Sequence, residues 1–137
     1  MKRIVLGYDD TDSAKRALKR TCELAKLLEG YVVVVSVAPV LVPAGHGIGP
    51  VDPADPPELH GEELLHAKAV LDENMVAADY VVGLGDPADL IVETAEKHWA
   101  DMIVVGTSEP GFIARLLGLS VSDTVERRAH CDVLIVH

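Results

Sequence analysis

Residues 31–37 read Tyr-Val-Val-Val-Val-Ser-Val. Successive side chains on a strand point to opposite faces, so this run leaves neither face polar. Such a strand must be covered on both sides, a condition met in parallel sheets layered with helices. Four further short apolar runs read as strands: Ile4–Tyr8, Tyr80–Val82, Met102–Val105 and Val133–Val136. Between them lie helical patterns. In the first, Ala14, Ala17, Leu18, Thr21, Cys22, Ala25 and Leu28 recur at helical spacing, with Thr11 or Asp12 as N-cap and Gly30 as C-cap. A second helix is expected from about Glu58 to Ala77, with Leu64, Leu65, Val70 and Leu71 apolar. A third starts at Asp86-Pro87, cap and first helical residue, with Leu90, Ile91, Ala95 and Trp99 on its apolar side. A fourth falls near Leu119–Ala129.

The resulting order is β-α-β-α-β-α-β-α-β, which specifies an α/β domain with a five-stranded, doubly wound, Rossmann-like parallel sheet. Its 137 residues are the length of one domain, 1–137. Ligands of such sheets sit beyond the carboxyl ends of the strands, where strand order reverses. That directs attention to Asp9-Asp10, to Ala38 onward, and to Gly106–Ser122. Pro39–Pro57, rich in Pro and Gly, reads as a long loop, functional or mobile.

Charge narrows the partners. Twelve Lys and Arg stand against 22 Asp and Glu, a net charge of −10, so nucleic acid and anionic membranes are repelled. Aromatic residues are 4 %, too few to suggest stacking platforms for single strands, and the core must be aliphatic. The opening Met1-Lys2-Arg3 does not read as a signal peptide, and Val32–Val42 is about half the ~20 residues of a membrane helix, so a cytoplasmic location is expected.

Three segments, IVLGYDDTDSAKRAL, GDPADLIVETAEKHWADMIVVGT and SVSDTVERRAHCDVLIV, resemble the universal stress protein family over nearly the whole chain. The resemblance implies strand order 3-2-1-4-5 and a homodimer, often joined through the fifth strands. It also implies an ATP site built on Gly, two residues, Gly, nine residues, Gly, then Ser or Thr. Gly106 and Ser120 match the first and last elements, and Val121 continues the match, but Glu109 and Leu119 stand where glycines are expected. Glycines let backbone N–H groups approach phosphate. Leu119 adds bulk there, and Glu109 adds a carboxylate. Like charges 4 Å apart repel by about 1 kcal/mol in water and about 4 kcal/mol at an effective dielectric of 20, and a triphosphate multiplies that penalty. The adenosine half fares better: Asp9 matches the family's acidic residue after strand one, and the backbone near Ala38 matches the segment facing the base. The expectation is lost or weak ATP binding with a nucleoside or monophosphate, such as AMP, still accepted. The alternative is an ATP-binding member with an atypical phosphate loop, hydrolysing ATP slowly.

Other readings are weaker. A phosphoacceptor receiver needs an Asp after strand three and a Lys after strand five. Here strand three runs into Val82-Gly83-Leu84-Gly85, and strand five has no Lys. Asp9, Asp10 and Asp12 could hold a cation, but helix capping explains Asp12. Glu62 and His66 share a helical face with no second pair beside them, so no metal site is assigned. Cys22 falls on the buried stripe, and two cysteines do not make a disulfide scaffold. No Ser-His-Asp set, nucleophile elbow or P-loop is present, so a binding or regulatory module is expected rather than an enzyme. Finally, Val133–Val136 falls at a sheet edge in order 3-2-1-4-5. An apolar edge invites pairing, here with a second copy.

Overall fold

The computed structural model describes residues 2–9, 11–38, 57–107 and 121–137. Its strands are β1 (Arg3–Gly7), β2 (Tyr31–Ala38), β3 (Ala78–Leu84), β4 (Met102–Gly106) and β5 (Asp132–Val136). Its helices are α1 (Asp12–Leu28), α2 (Pro57–Glu73), α3 (Pro87–Lys97) and α4 (Val121–Arg128). All neighbouring strands run parallel, in the order β3-β2-β1-β4-β5.

The pleat divides the strand residues between two cores. Ile4, Leu6, Val32, Val34 and Val104 pack with Ala17, Leu18 and Cys22 of α1 and with Ala67 and Leu71 of α2. Val5, Val33, Val35, Ile103 and Val105 pack with Ala88, Ile91 and Ala95 of α3 and Val125 of α4. Register aligns these sets: Val5 sits beside Val33 and Ile103, and Leu6 beside Val34 and Val104. The valine run of β2 is thus buried on both faces, as its composition demands.

Helix starts follow the sequence. Thr11 is the N-cap of α1, its side chain accepting from the Ala14 N–H, and Asp86 does the same for Ala88 at the start of α3, where Pro87 follows. Helix ends depart from it. Gly30 is not the C-cap; Glu29 takes the left-handed conformation at φ 51°. The reason is a hydrogen-bonded closure in which the Gly30 N–H donates to Ala25 O at 2.7 Å, leaving the residue before it left-handed. Gly30 meets a different need: a Cβ there would lie 3.3 Å from Ala25 Cα, Ile4 Cδ1 and Lys2 O.

The same closure ends the next two helical segments. Val76 N–H donates to Leu71 O at 3.0 Å with Met75 at φ 56°, and Ala100 N–H to Ala95 O at 2.9 Å with Trp99 at φ 53°. In both, the donor and acceptor residues belong to the apolar cores, the contact that accompanies this motif. α2 therefore stops at Glu73 rather than Ala77, and Trp99 lies beyond α3 and 82 % exposed rather than on its apolar side. Leu28 is likewise partly exposed. β3 is longer than the apolar run Tyr80–Val82 because it pairs along β2 from Val32 to Ala38. Residues 39–56, most of the expected long loop, lie outside the described residues, and Pro57 opens α2.

Met75 is 91 % exposed, so its left-handed backbone cost is not offset by side-chain burial. Left-handed geometry costs a non-glycine residue roughly 1–2 kcal/mol, partly offset by the greater unfolded freedom of glycine. Met75→Gly is expected to stabilise the protein by about 1 kcal/mol. Urea unfolding followed by circular dichroism checks this; an unchanged or lowered midpoint contradicts it.

Candidate functional site

Strand order reverses between β1 and β4, so the crevice lies where those two strands end. The crossovers leaving β1 lead to α1 on one face, while α3 packs beneath β1 on the other. Two glycines allow the close fit. At Gly7 a Cβ would lie 2.7 Å from Ile91 Cδ1 of α3. At Gly106 it would lie 2.7 Å from the Ser13 carbonyl carbon and 2.8 Å from both Ser13 O and Oγ. The first turn of α1 therefore rests directly on the backbone at the end of β4.

Asp9, two residues past β1, is partly buried. Its Oδ1 accepts from the Thr11 hydroxyl at 2.7 Å and from the Thr11 N–H at 3.2 Å. The Thr11 oxygen accepts in turn from Ala14 N–H at 3.2 Å, and it lies 3.3 Å from Ser13 Oγ. Ser13 Oγ donates to Thr107 O at 2.9 Å. This sequence of contacts ties the exit of β1 to the exit of β4 through the N-terminus of α1. Thr107 N–H then donates to Val136 O at 2.8 Å, which links β5 to the same edge. The carboxylate of Asp9 is thus oriented by the cap that starts the helix, and no long flexible side chain intervenes.

β2 forms one wall. Gly7 pairs with Val35, so Ser36, Val37 and Ala38 run on past the end of β1, paired with Val82, Gly83 and Leu84 of β3. Ala38 is the last residue of that extension. α2 is pinned beside the edge by two polar contacts: Tyr8 OH to His66 Nδ1 at 2.9 Å, and the fully buried Ser36 hydroxyl donating to Glu63 Oε2 at 3.3 Å.

Of the residues expected at this site, Asp9, Ala38 and Gly106 stand at the ends of β1, β2 and β4, and Val121 is the first residue of α4. Glu109, Leu119 and Ser120 lie outside the described residues, as does Asp10. Ser13 was not singled out in the sequence, since a serine among alanines at a helix start looks like cap composition. Its only signal is a polar side chain on the buried stripe, where it is 2 % exposed. His66 is engaged with Tyr8, and among the described residues no group of three His, Cys, Asp or Glu side chains is placed to hold a metal ion. Cys22 lies in the core, where burial pushes its thiol up; Lys26 opposes that shift and Glu23 adds to it. No helix among the described residues is long and apolar enough to cross a membrane.

The fold and the edge define a doubly wound, Rossmann-like α/β architecture. The model of the universal stress protein family matches residues 1–137, and the chain belongs to that family. A universal stress protein of Methanocaldococcus jannaschii is 34 % identical over 138 residues, covering 98 % of this chain and 81 % of that protein. One from Mycobacterium tuberculosis is 32 % identical over 148 residues, covering 99 % and 96 %. Among solved structures, a universal stress protein in complex with cAMP is 29 % identical with a TM-score of 0.73, covering 99 % of this chain and 96 % of its own. Another, from Archaeoglobus fulgidus in complex with dAMP, is 25 % identical with a TM-score of 0.74, covering 100 % and 98 %.

Gly106 gives a direct check on this geometry. The atoms its Cβ would strike are mainly backbone, which cannot rotate away. Gly106→Ala is expected to cost about 1–3 kcal/mol, the range for overpacking a close contact. It should also raise hydrogen exchange at Ala14 and Lys15, the first amides held by Thr11. Unchanged unfolding midpoints and exchange rates would contradict the contact.

Proposed function

We propose that this chain is a small regulatory binding module that takes an adenine nucleoside or nucleoside monophosphate at the carboxyl edge of its sheet, with ATP bound weakly or not at all. The observation that carries the reading is the pairing of a retained Asp9 and Gly106 with Glu109 and Leu119 at the two glycine positions of the phosphate loop. Relatives crystallised with cAMP and dAMP support a ligand with one phosphate. Asp9 would accept hydrogen bonds from ligand hydroxyl or amine groups, the Ala38 backbone would face the base, and Gly106, Ser120 and Val121 would meet the phosphate. A monophosphate has few charges near Glu109; a triphosphate extends toward it.

Calorimetric titration with AMP, cAMP and ATP with Mg²⁺ tests this. AMP or cAMP is expected to bind at least about tenfold more tightly than ATP, a difference of about 1.4 kcal/mol. Asp9→Ala should weaken the monophosphate, and reverting Glu109 and Leu119 together to Gly should raise ATP affinity sharply. Low-micromolar ATP binding by the unaltered protein would instead favour an ATP-binding member with an atypical loop.

The same reading includes a cytoplasmic homodimer of single-domain chains. β5 is at the sheet edge, and Val133, Leu134, Ile135 and Val136 are only partly buried. An apolar edge of this kind favours pairing with a second copy about a two-fold axis. Sedimentation equilibrium at micromolar concentration is expected to give twice the chain mass; a monomer would contradict it.

A further inference from the structure

The opposite edge of the sheet holds a cavity of about 430 Å³, within the range of small-molecule sites. It opens where α3 and α4 end and where β4 and β5 begin. Ala95, Ile103, Ala129 and Cys131 contribute to its wall, with Trp99 and Glu96 also lining it. Three features of this place are unusual together.

The first is Trp99. It is the chain's one tryptophan, it is 82 % exposed, and it holds a left-handed backbone that a glycine would adopt at lower cost. The backbone conformation belongs to the closure that ends this helical segment, so the feature of interest is the large exposed indole beside an apolar cavity.

The second is charge. Glu96 lines the same cavity, and His130 Nε2 lies 3.5 Å from its Oε1. Asp101 and Asp132 flank the start of β4 and β5, and both push the Cys131 thiol up, after burial as the larger cause. The third is direction. α3 and α4 both end here, and helix C-termini carry negative partial charge. Of the nearby cations, Lys97 Nζ lies 3.0 Å from Glu93 Oε1, Arg128 pairs with Asp89, and an Arg3 guanidinium N–H donates to His98 O at 2.8 Å, while Arg127 in the last turn of α4 is exposed.

We propose that this cavity is a binding site for a small organic cation. The apolar wall would take the ligand's hydrocarbon or aromatic body, and Trp99 and Glu96 would face its ammonium group. An aromatic face and a carboxylate together are the chemistry that recognises alkylated or protonated amines. An anionic ligand is disfavoured by the same groups. The site is separate from the nucleotide edge, so its existence does not depend on that reading.

Benzyltrimethylammonium is the probe, with benzyl alcohol and benzenesulfonate as its neutral and anionic counterparts. Trp99 is the reporter, since no other indole contributes to the fluorescence. The expected result is a saturable change with the cation, about fivefold or more tighter than benzyl alcohol, and none with the sulfonate. Glu96→Gln should remove most of the cation's advantage while leaving benzyl alcohol unchanged. Ala129→Leu should fill the cavity and weaken both. Because that variant changes a packed position, Trp99→Ala, at an exposed one, is measured beside it by calorimetry and should also weaken the cation. Equal binding of cation and alcohol, an undiminished preference in Glu96→Gln, or no saturable response with any probe would overturn the proposal.

Discussion

Val32, Val33, Val34 and Val35 leave β2 with no face that water can touch. Removing both faces from solvent requires a helical layer on each side, and a parallel sheet supplies those layers through its crossovers. Because each crossover is right-handed, helices reach both faces only if the chain changes its direction of growth across the sheet. The chain does so after β3, returning to β4 on the far side of β1. α1, which follows β1, and α4, which follows β4, pack on opposite faces, and this is the point of the sheet where a crevice is expected. The location of the candidate site is in this sense a consequence of apolar burial in a strand that does not itself line it.

The crevice has a definite shape because the two strand ends beside it are glycines. Gly106 brings the first turn of α1 into backbone contact with β4, and Gly7 admits Ile91 from below. With the helix that close, its capping groups become the site's polar groups. Thr11 caps α1 and at the same time orients Asp9; Ser13 holds the Thr107 carbonyl. Capping a helix and fixing a carboxylate are here one arrangement, so a change at Thr11 acts on both.

Much of the fold was legible because periodicity reports burial directly. The apolar runs that became the strands, the Asp86-Pro87 start of α3 and the position of Asp9 all follow from local pattern. Helix ends were less legible. Gly30 was read as a cap on composition, whereas the closure is fixed by a hydrogen bond reaching five residues back, which Glu29, Met75 and Trp99 satisfy at some cost in backbone strain. Trp99 shows the same failure from another side: its spacing from Ala95 fits a helical stripe, but the helix has already ended at Lys97. Of the candidate site, Asp9 and Gly106 were expected at the ends of strands, and they lie there. Ser13 was not, because its partner Thr107 lies 94 residues away in sequence and no local pattern connects them.

Parallel architecture also polarises the molecule. Each helix follows a strand, so helix N-termini gather at the carboxyl edge and C-termini at the amino edge. The first edge favours anions and the second favours cations. Acidic residues modify the two ends differently. At the carboxyl edge, Asp9, Asp12, Asp86 and Asp89 stand in the favourable potential of the helix N-termini, where they oppose added negative charge. At the amino edge, Glu96, Asp101 and Asp132 add to the potential, while Lys26, Lys97, Arg127 and Arg128 in the last helical turns oppose it. A net charge of −10 therefore has opposite consequences at the two ends of one sheet. On the proposed reading it favours ligands of low negative charge in the crevice, and at the proposed site beside Trp99 the Glu96 carboxylate adds attraction for a cation to what the apolar walls supply.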